Sequence, residues 1–152
     1  MEMRRKDKAM EQEAVSRLLK EAEYGILATS GEDGYPYGVP MNFVYEDGKV
    51  YFHGTIANGH RNQNIASNPK ACFTVVRNTE VLPEQFNTKF ESVILFGTIR
   101  EEKEKKEEIL KKIITKYSSS FMERGVEYIA KAFDKVMTYE MTVESMSGKA
   151  KY

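Results

Sequence analysis

The sequence carries a single cysteine and no net charge. One thiol can form neither an internal disulfide nor a cysteine-rich metal centre. Cys72 lies in the strand-like run CFTVV and reads as an inert core thiol. Lysine plus arginine number 23, and so do aspartate plus glutamate. That balance argues against a dedicated nucleic-acid surface, which shows as a basic excess. The basic stretch MRRKDK near the start is short and mixed, and reads as solvated rather than as a binding arm. No apolar stretch is long enough to span a bilayer, and the charged N-terminal residues lack the apolar core of a signal peptide. The expectation is one cytoplasmic domain over residues 1–152, with no membrane and no nucleic-acid partner. Walker A, GxGxxG, HExxH and GxSxG motifs are all missing, and no Ser–His–Asp triad can be assembled.

What is present is a change of period along the chain. Glu11 to Ala22 predicts an amphipathic helix, with Val15, Leu18, Leu19 and Ala22 on one face. From Gly25 to His53 the pattern predicts a three-strand meander, GILATS, PYGVPMNFVY and VYFHG, with Asp33-Gly34 and Asp47-Gly48 in its turns. Asp-Gly suits hairpin turns that need positive φ. Pro40 cannot donate to a ladder and marks an edge, a bulge or a break. A short helix is expected over Asn58–Ser67, strands over Ala71–Arg77 and Ser92–Arg100, and a loop over Asn78–Asn87, which holds Pro83. Helical period returns over Glu101–Tyr117, where Ile109, Leu110, Ile113, Ile114 and Tyr117 form a stripe. A second short helix is expected around Tyr128–Phe133, and a last strand over Val136–Val143. About six strands, mostly antiparallel, with peripheral helices point to a mainly β fold and a small barrel.

Several strands are apolar on both faces. Val93 to Phe96 has no polar side, and Val50 and Phe52 alternate with Tyr51 and His53. A barrel wall facing water should not look like that. The pattern predicts a homodimer with sites at the seam.

Tyr51 to Ile65, YFHGTIANGHRNQNI, carries the clearest chemical signal. A strand ends at His53-Gly54, and Thr55 to Gly59 leads into a helix start. The first turn of a helix leaves free N–H groups and a dipole that favours an anion. Gly54 and Gly59 allow close backbone approach, Arg61 adds a charge-assisted contact, and Thr55 and His60 can donate. An ordinary polar strand-to-helix loop would read the same way. His53 and His60 could be paired as metal ligands, but no third ligand stands near them, so no metal is expected.

The run LATSGEDGYPYGVPMNFVYEDGKVYFHGTIANGHRNQNIASNPKACFTV is similar to the flavin-binding split-barrel proteins related to pyridoxamine 5′-phosphate oxidase. With MRRKDK, ESVILFGTIR and SMSGKA, it most resembles the nitroimidazole-resistance (Nim-type) branch. The resemblance implies a six-stranded antiparallel split β-barrel and a homodimer with FMN at the subunit interface. It sets Pro40, Met41, Asn42 and Phe43 along the flavin ring, and His53, Gly54 and Thr55 beside it. Asn58, Gly59, His60 and Arg61 match the phosphate turn, and Ser92 and Val93 a segment that approaches the flavin. Ser147 and Lys149 are candidates for the partner subunit's contribution, and Phe90 stands where tyrosine is common. The basic substrate grip of true pyridoxamine phosphate oxidases is missing, so oxidation of vitamin B6 is not expected.

The implied activity is an FMN-dependent oxidoreductase, a Nim-type nitroreductase, taking electrons from NAD(P)H to a small planar acceptor. His53 is the candidate proton donor or acceptor, with a packing role as the alternative. The rival class is a flavin or haem carrier, sensor or storage protein without turnover.

Overall fold

A computed structural model describes residues 2–57 and 59–152. Helix α1 (Gln12–Glu21) precedes strands β1 (Gly25–Ser30), β2 (Pro36–Met41), β3 (Val44–Glu46) and β4 (Lys49–Thr55). Helix α2 (His60–Ser67) leads to β5 (Lys70–Leu82) and β6 (Asn87–Glu101). Helices α3 (Lys106–Tyr117) and α4 (Met122–Ala132) then precede β7 (Val136–Lys151).

Among the described residues the strands form one antiparallel sheet of seven, ordered β2-β1-β5-β6-β7-β4-β3. The mainly antiparallel sheet with peripheral helices matches the expectation, while the strand count and closure do not. The sheet has seven strands rather than six, and no ladder closes it among the described residues. The extra strand arises because PYGVPMNFVY breaks in two. β2 pairs with β1, β3 pairs with β4, and Asn42-Phe43 joins the two opposite edges of the sheet. At that joint the Phe43 N–H donates to the Tyr117 hydroxyl (3.0 Å), and Lys116 Nζ donates to the Phe43 carbonyl (2.9 Å). The backbone that would have continued a ladder is thus satisfied by α3. Pro40 lies on β2, an edge strand, where its missing N–H costs no central ladder bond.

Asp47 (φ 49°) and Gly48 (φ 77°) both take left-handed conformations between the paired Glu46 and Lys49. This is the two-residue turn whose twist suits a hairpin. The expected loop over Asn78–Asn87 is instead the end of a long hairpin. β5 runs to Leu82, Pro83–Gln85 forms one 3-10 turn, and β6 begins at Asn87. β7 likewise runs past Val143 to Lys151 because β6 supplies a ladder from Tyr139 to Lys151.

Phe43 and Phe52 both meet Phe73 edge-on, at 4.8 and 5.0 Å between centroids. Leu19 of α1, Leu27, Val50, Val75, Leu95 and Met141 complete this core, with no exposed surface. The opposite face of the sheet is different. Ile26 is opposite Pro40 and Thr74, Thr74 is opposite Ile94, and Ile94 is opposite Ser147. Directly opposed residues share a face, so these form one row. Ile26 and Ile94 remain 37% and 36% exposed, and Val76 51% exposed.

Candidate functional site

The site is built where β4 ends and α2 begins. Along β4 the burial alternates, with Val50 and Phe52 in the core. Gly54 continues that inward face, opposite Met137, as Phe52 is opposite Tyr139. His53 points to the other face, opposite Thr138.

α2 starts after Gly59, whose backbone is extended and which has no side chain to cap the helix. Its first-turn amides therefore have no side-chain cap at Gly59. Two ties fix the helix to the sheet. His60 Nε2 lies 3.3 Å from Asp33 Oδ2, with its ring on Tyr37 at 4.9 Å between centroids. Buried Asn64 donates to Thr29 Oγ1 (3.2 Å).

Arg61 folds back from this first turn over Gly54. Its Nη1 reaches Met41 Sδ (3.3 Å), and its Nε and Nη2 reach Asn62 Oδ1 (3.3 and 3.1 Å). Its Cζ stands 5.7 Å from the centre of the Tyr139 ring. Among the described residues no carboxylate pairs with it. A half-buried guanidinium beside a glycine-capped helix start is an arrangement suited to an anion.

His53 Nδ1 is buried and has no hydrogen-bond partner among the described residues. Burial, and then the nearby charge of Arg61, push its pKa below the ordinary histidine value, so the ring is neutral at pH 7. Burial also raises Tyr139 above the ordinary phenol value, although Arg61 opposes it, so its hydroxyl stays a donor.

The sequence-predicted residues fall into two groups. Met41, Gly54, Thr55, Gly59, His60 and Arg61 gather at the β4–α2 junction. Pro40 is exposed nearby on β2, and Asn42 donates to the Glu23 carbonyl (2.8 Å). The Phe43 side chain and backbone are both committed to the core and to α3. Asn58 lies outside the described residues. Ser92, Val93, Ser147 and Lys149 form the second group, with Ser92 opposite Lys149 and the Val93 side chain in the core. Thr138, opposite His53, and Ser147 are separated by roughly 30 Å of extended β7. Among the described residues no hydrogen bond, ion pair or ring contact joins the two groups. Among the described residues no cluster of three or more His, Cys, Asp or Glu is placed to hold a metal ion.

Two residues that sequence reasoning missed belong to the first group. Asn62 bonds to Arg61, and Tyr139 donates to Asn62 Oδ1. The period of VMTYEMTV puts Tyr139 on an inward face, but nothing in it reveals that the hydroxyl reaches α2.

No curated protein matches the chain. Solved structures share its fold. A candidate 5-nitroimidazole antibiotic resistance protein from Bacteroides thetaiotaomicron is 21% identical with a TM-score of 0.74, over 94% of this chain and 86% of that one. A flavocytochrome from Azotobacter vinelandii is 23% identical with a TM-score of 0.82, over 99% of this chain and 72% of that one. The heme storage protein of Vibrio cholerae is 15% identical with a TM-score of 0.64, over 89% and 92% of the two chains. A family model described as pyridoxamine 5′-phosphate oxidase matches residues 11–150, nearly the whole sequence, and by that match the chain belongs to the pyridoxamine 5′-phosphate oxidase family.

Proposed function

We propose that the protein binds FMN and acts as a flavin-dependent oxidoreductase of the nitroreductase type. The observation that carries this reading is the Arg61 guanidinium, free of any carboxylate among the described residues and held beside Gly54 at a helix start capped only by glycine. Arg61 and the first-turn amides of α2 hold the phosphate, and β2 with its Asn42-Phe43 joint borders the ring. FMN held there would supply the redox chemistry, hydride transfer from NADH or NADPH and electron transfer to a small planar acceptor. His53, neutral and with Nδ1 unpartnered among the described residues, is the residue that exchanges a proton beside the ring.

The reading includes a cytoplasmic homodimer. The face that exposes Ile26, Val76 and Ile94 is the one a second copy would cover. That copy would bring Ser92, Ser147 and Lys149 to the β4–α2 junction. No helix among the described residues is long and apolar enough to cross a membrane.

The test is the visible spectrum of protein purified without added cofactor, followed by FMN titration and by NAD(P)H oxidation with an added nitro compound. A flavin spectrum with turnover supports the proposal, and a colourless protein that takes up no FMN defeats it. One observation favours a second reading. A neutral imidazole is the form of histidine that ligates haem iron, so a Soret band without turnover would favour a haem carrier or storage role.

A further inference from the structure

We infer that Asn62 is a positioning residue for the anion site, orienting Arg61 and tying down the backbone at Thr55 and Ala57. The inference rests on the phosphate-binding reading above and adds a residue that the helix-start pattern does not assign.

Asn62 is the residue through which three elements meet. Its Nδ2 donates to the Ala57 carbonyl (2.7 Å) and the Thr55 carbonyl (3.3 Å), with Met137 Sδ at 3.6 Å. Its Oδ1 accepts from Arg61 Nε and Nη2 (3.3 and 3.1 Å) and from the Tyr139 hydroxyl. These partners fix the amide's orientation. Turned over, the NH2 group would face the guanidinium, and the oxygen would face two carbonyls. Only an amide supplies donors on one side and an acceptor on the other at this reach.

Two consequences follow for an anion. First, the Thr55 and Ala57 carbonyls are engaged by Asn62, which turns two negative dipoles toward the amide. Second, Asn62 takes the Nε/Nη2 side of the guanidinium with a single neutral oxygen. Among the described residues the end-on Nη1/Nη2 pair keeps only the Met41 sulfur, a weak acceptor that a phosphate oxygen would displace readily. A carboxylate in place of the amide would neutralise Arg61. An aliphatic side chain would release it.

The experiment compares FMN with riboflavin, which lacks the phosphate, by flavin fluorescence quenching on the full chain. Wild type is expected to bind FMN at least about tenfold more tightly, the range of one charge-assisted contact. Asn62→Leu and Asn62→Asp are each expected to lose about tenfold in FMN affinity with riboflavin affinity unchanged. An equal loss for both ligands makes Asn62 a merely structural residue and overturns the inference, as does no loss for either. If wild type does not distinguish FMN from riboflavin, the phosphate reading itself fails, and this inference with it. Tyr139→Phe removes one bond into Oδ1 and leaves the bonds to Thr55 and Ala57 intact, so it tests the same claim should an Asn62 variant not fold. It is expected to lose about threefold in FMN affinity and nothing in riboflavin affinity, and equal effects on both ligands count against the inference.

Discussion

Arg61 Nη2 occupies the space where a side chain on Gly54 would begin. A Cβ at Gly54 would lie 2.2 Å from it and 2.9 Å from Cζ. The atoms in the way belong to the end of a flexible side chain, so Gly54→Ala should expel the guanidinium without breaking the sheet. The expected result is a melting temperature lowered by only a few degrees, roughly 1 kcal/mol, and an FMN affinity lowered by about tenfold. Thermal melts and flavin titration check the two halves separately.

Gly97 is the opposite case. It sits at the register shift between Phe96 and Gly97, where β6 meets β7. A Cβ there would lie 2.0 Å from the Thr142 carbonyl oxygen, which is backbone. Nothing local can step aside. Gly97→Ala should cost about 2–3 kcal/mol, read as a lower urea midpoint.

His53 gives a pH dependence of definite sign. Burial and Arg61 hold its folded pKa below the ordinary value, so the unfolded chain takes up the proton first as pH falls. The stability contribution is complete above the ordinary histidine value of about 6.5 and declines as pH drops through the folded pKa. His53→Gln should flatten the change in urea midpoint between about pH 7.5 and 5.5 relative to wild type.

Among the described residues Lys116 is held without a carboxylate, donating to the Phe43 carbonyl with its Nζ 3.8 Å from the centre of the Phe43 ring. Burial pulls its pKa down to about 8. Its amine should therefore gain reactivity toward acetic anhydride with a midpoint near that pH, below lysines titrating near about 10.4. Peptide mass spectrometry over a pH series checks this; a midpoint near the common lysine value would refute it.

Ile94 is one of the exposed apolar side chains of the sheet face opposite the core, with Ile26 and Val76. If a second copy covers that face, Ile94→Glu places a charge in the seam, and the protein should elute as a monomer at micromolar concentration. Light scattering on the wild type and the variant decides it.

The features legible in the sequence were those set by neighbours close along the chain. The α1 stripe and the Asp47-Gly48 turn depend on spacing within a few residues. The break at Asn42-Phe43 was not legible, because the alternation of period two runs straight through it. It is settled by Tyr117 and Lys116, which come from 74 and 73 residues downstream. The strand segments on either side of Pro83 read as loop for a similar reason. Their composition is polar, and they become strands because each supplies the other's ladder. At the site, the glycines and Arg61 announced an anion turn. Asn62 did not stand out, since one polar residue in a polar helix start carries no pattern.

β4 finds its second neighbour in β7, so that Lys49 through Thr55 pair with Thr142 back through Val136. During synthesis, α1 and the strands from β1 to β6 emerge before the strand that completes the sheet. Until β7 arrives, β4 has only the short β3 beside it, and the N-terminal half cannot reach its final arrangement. The structure therefore prescribes late, high-contact-order folding, slow by the standards of small domains. It also leaves an exposed edge at β4 in the nascent chain, where mispairing would be expected to begin.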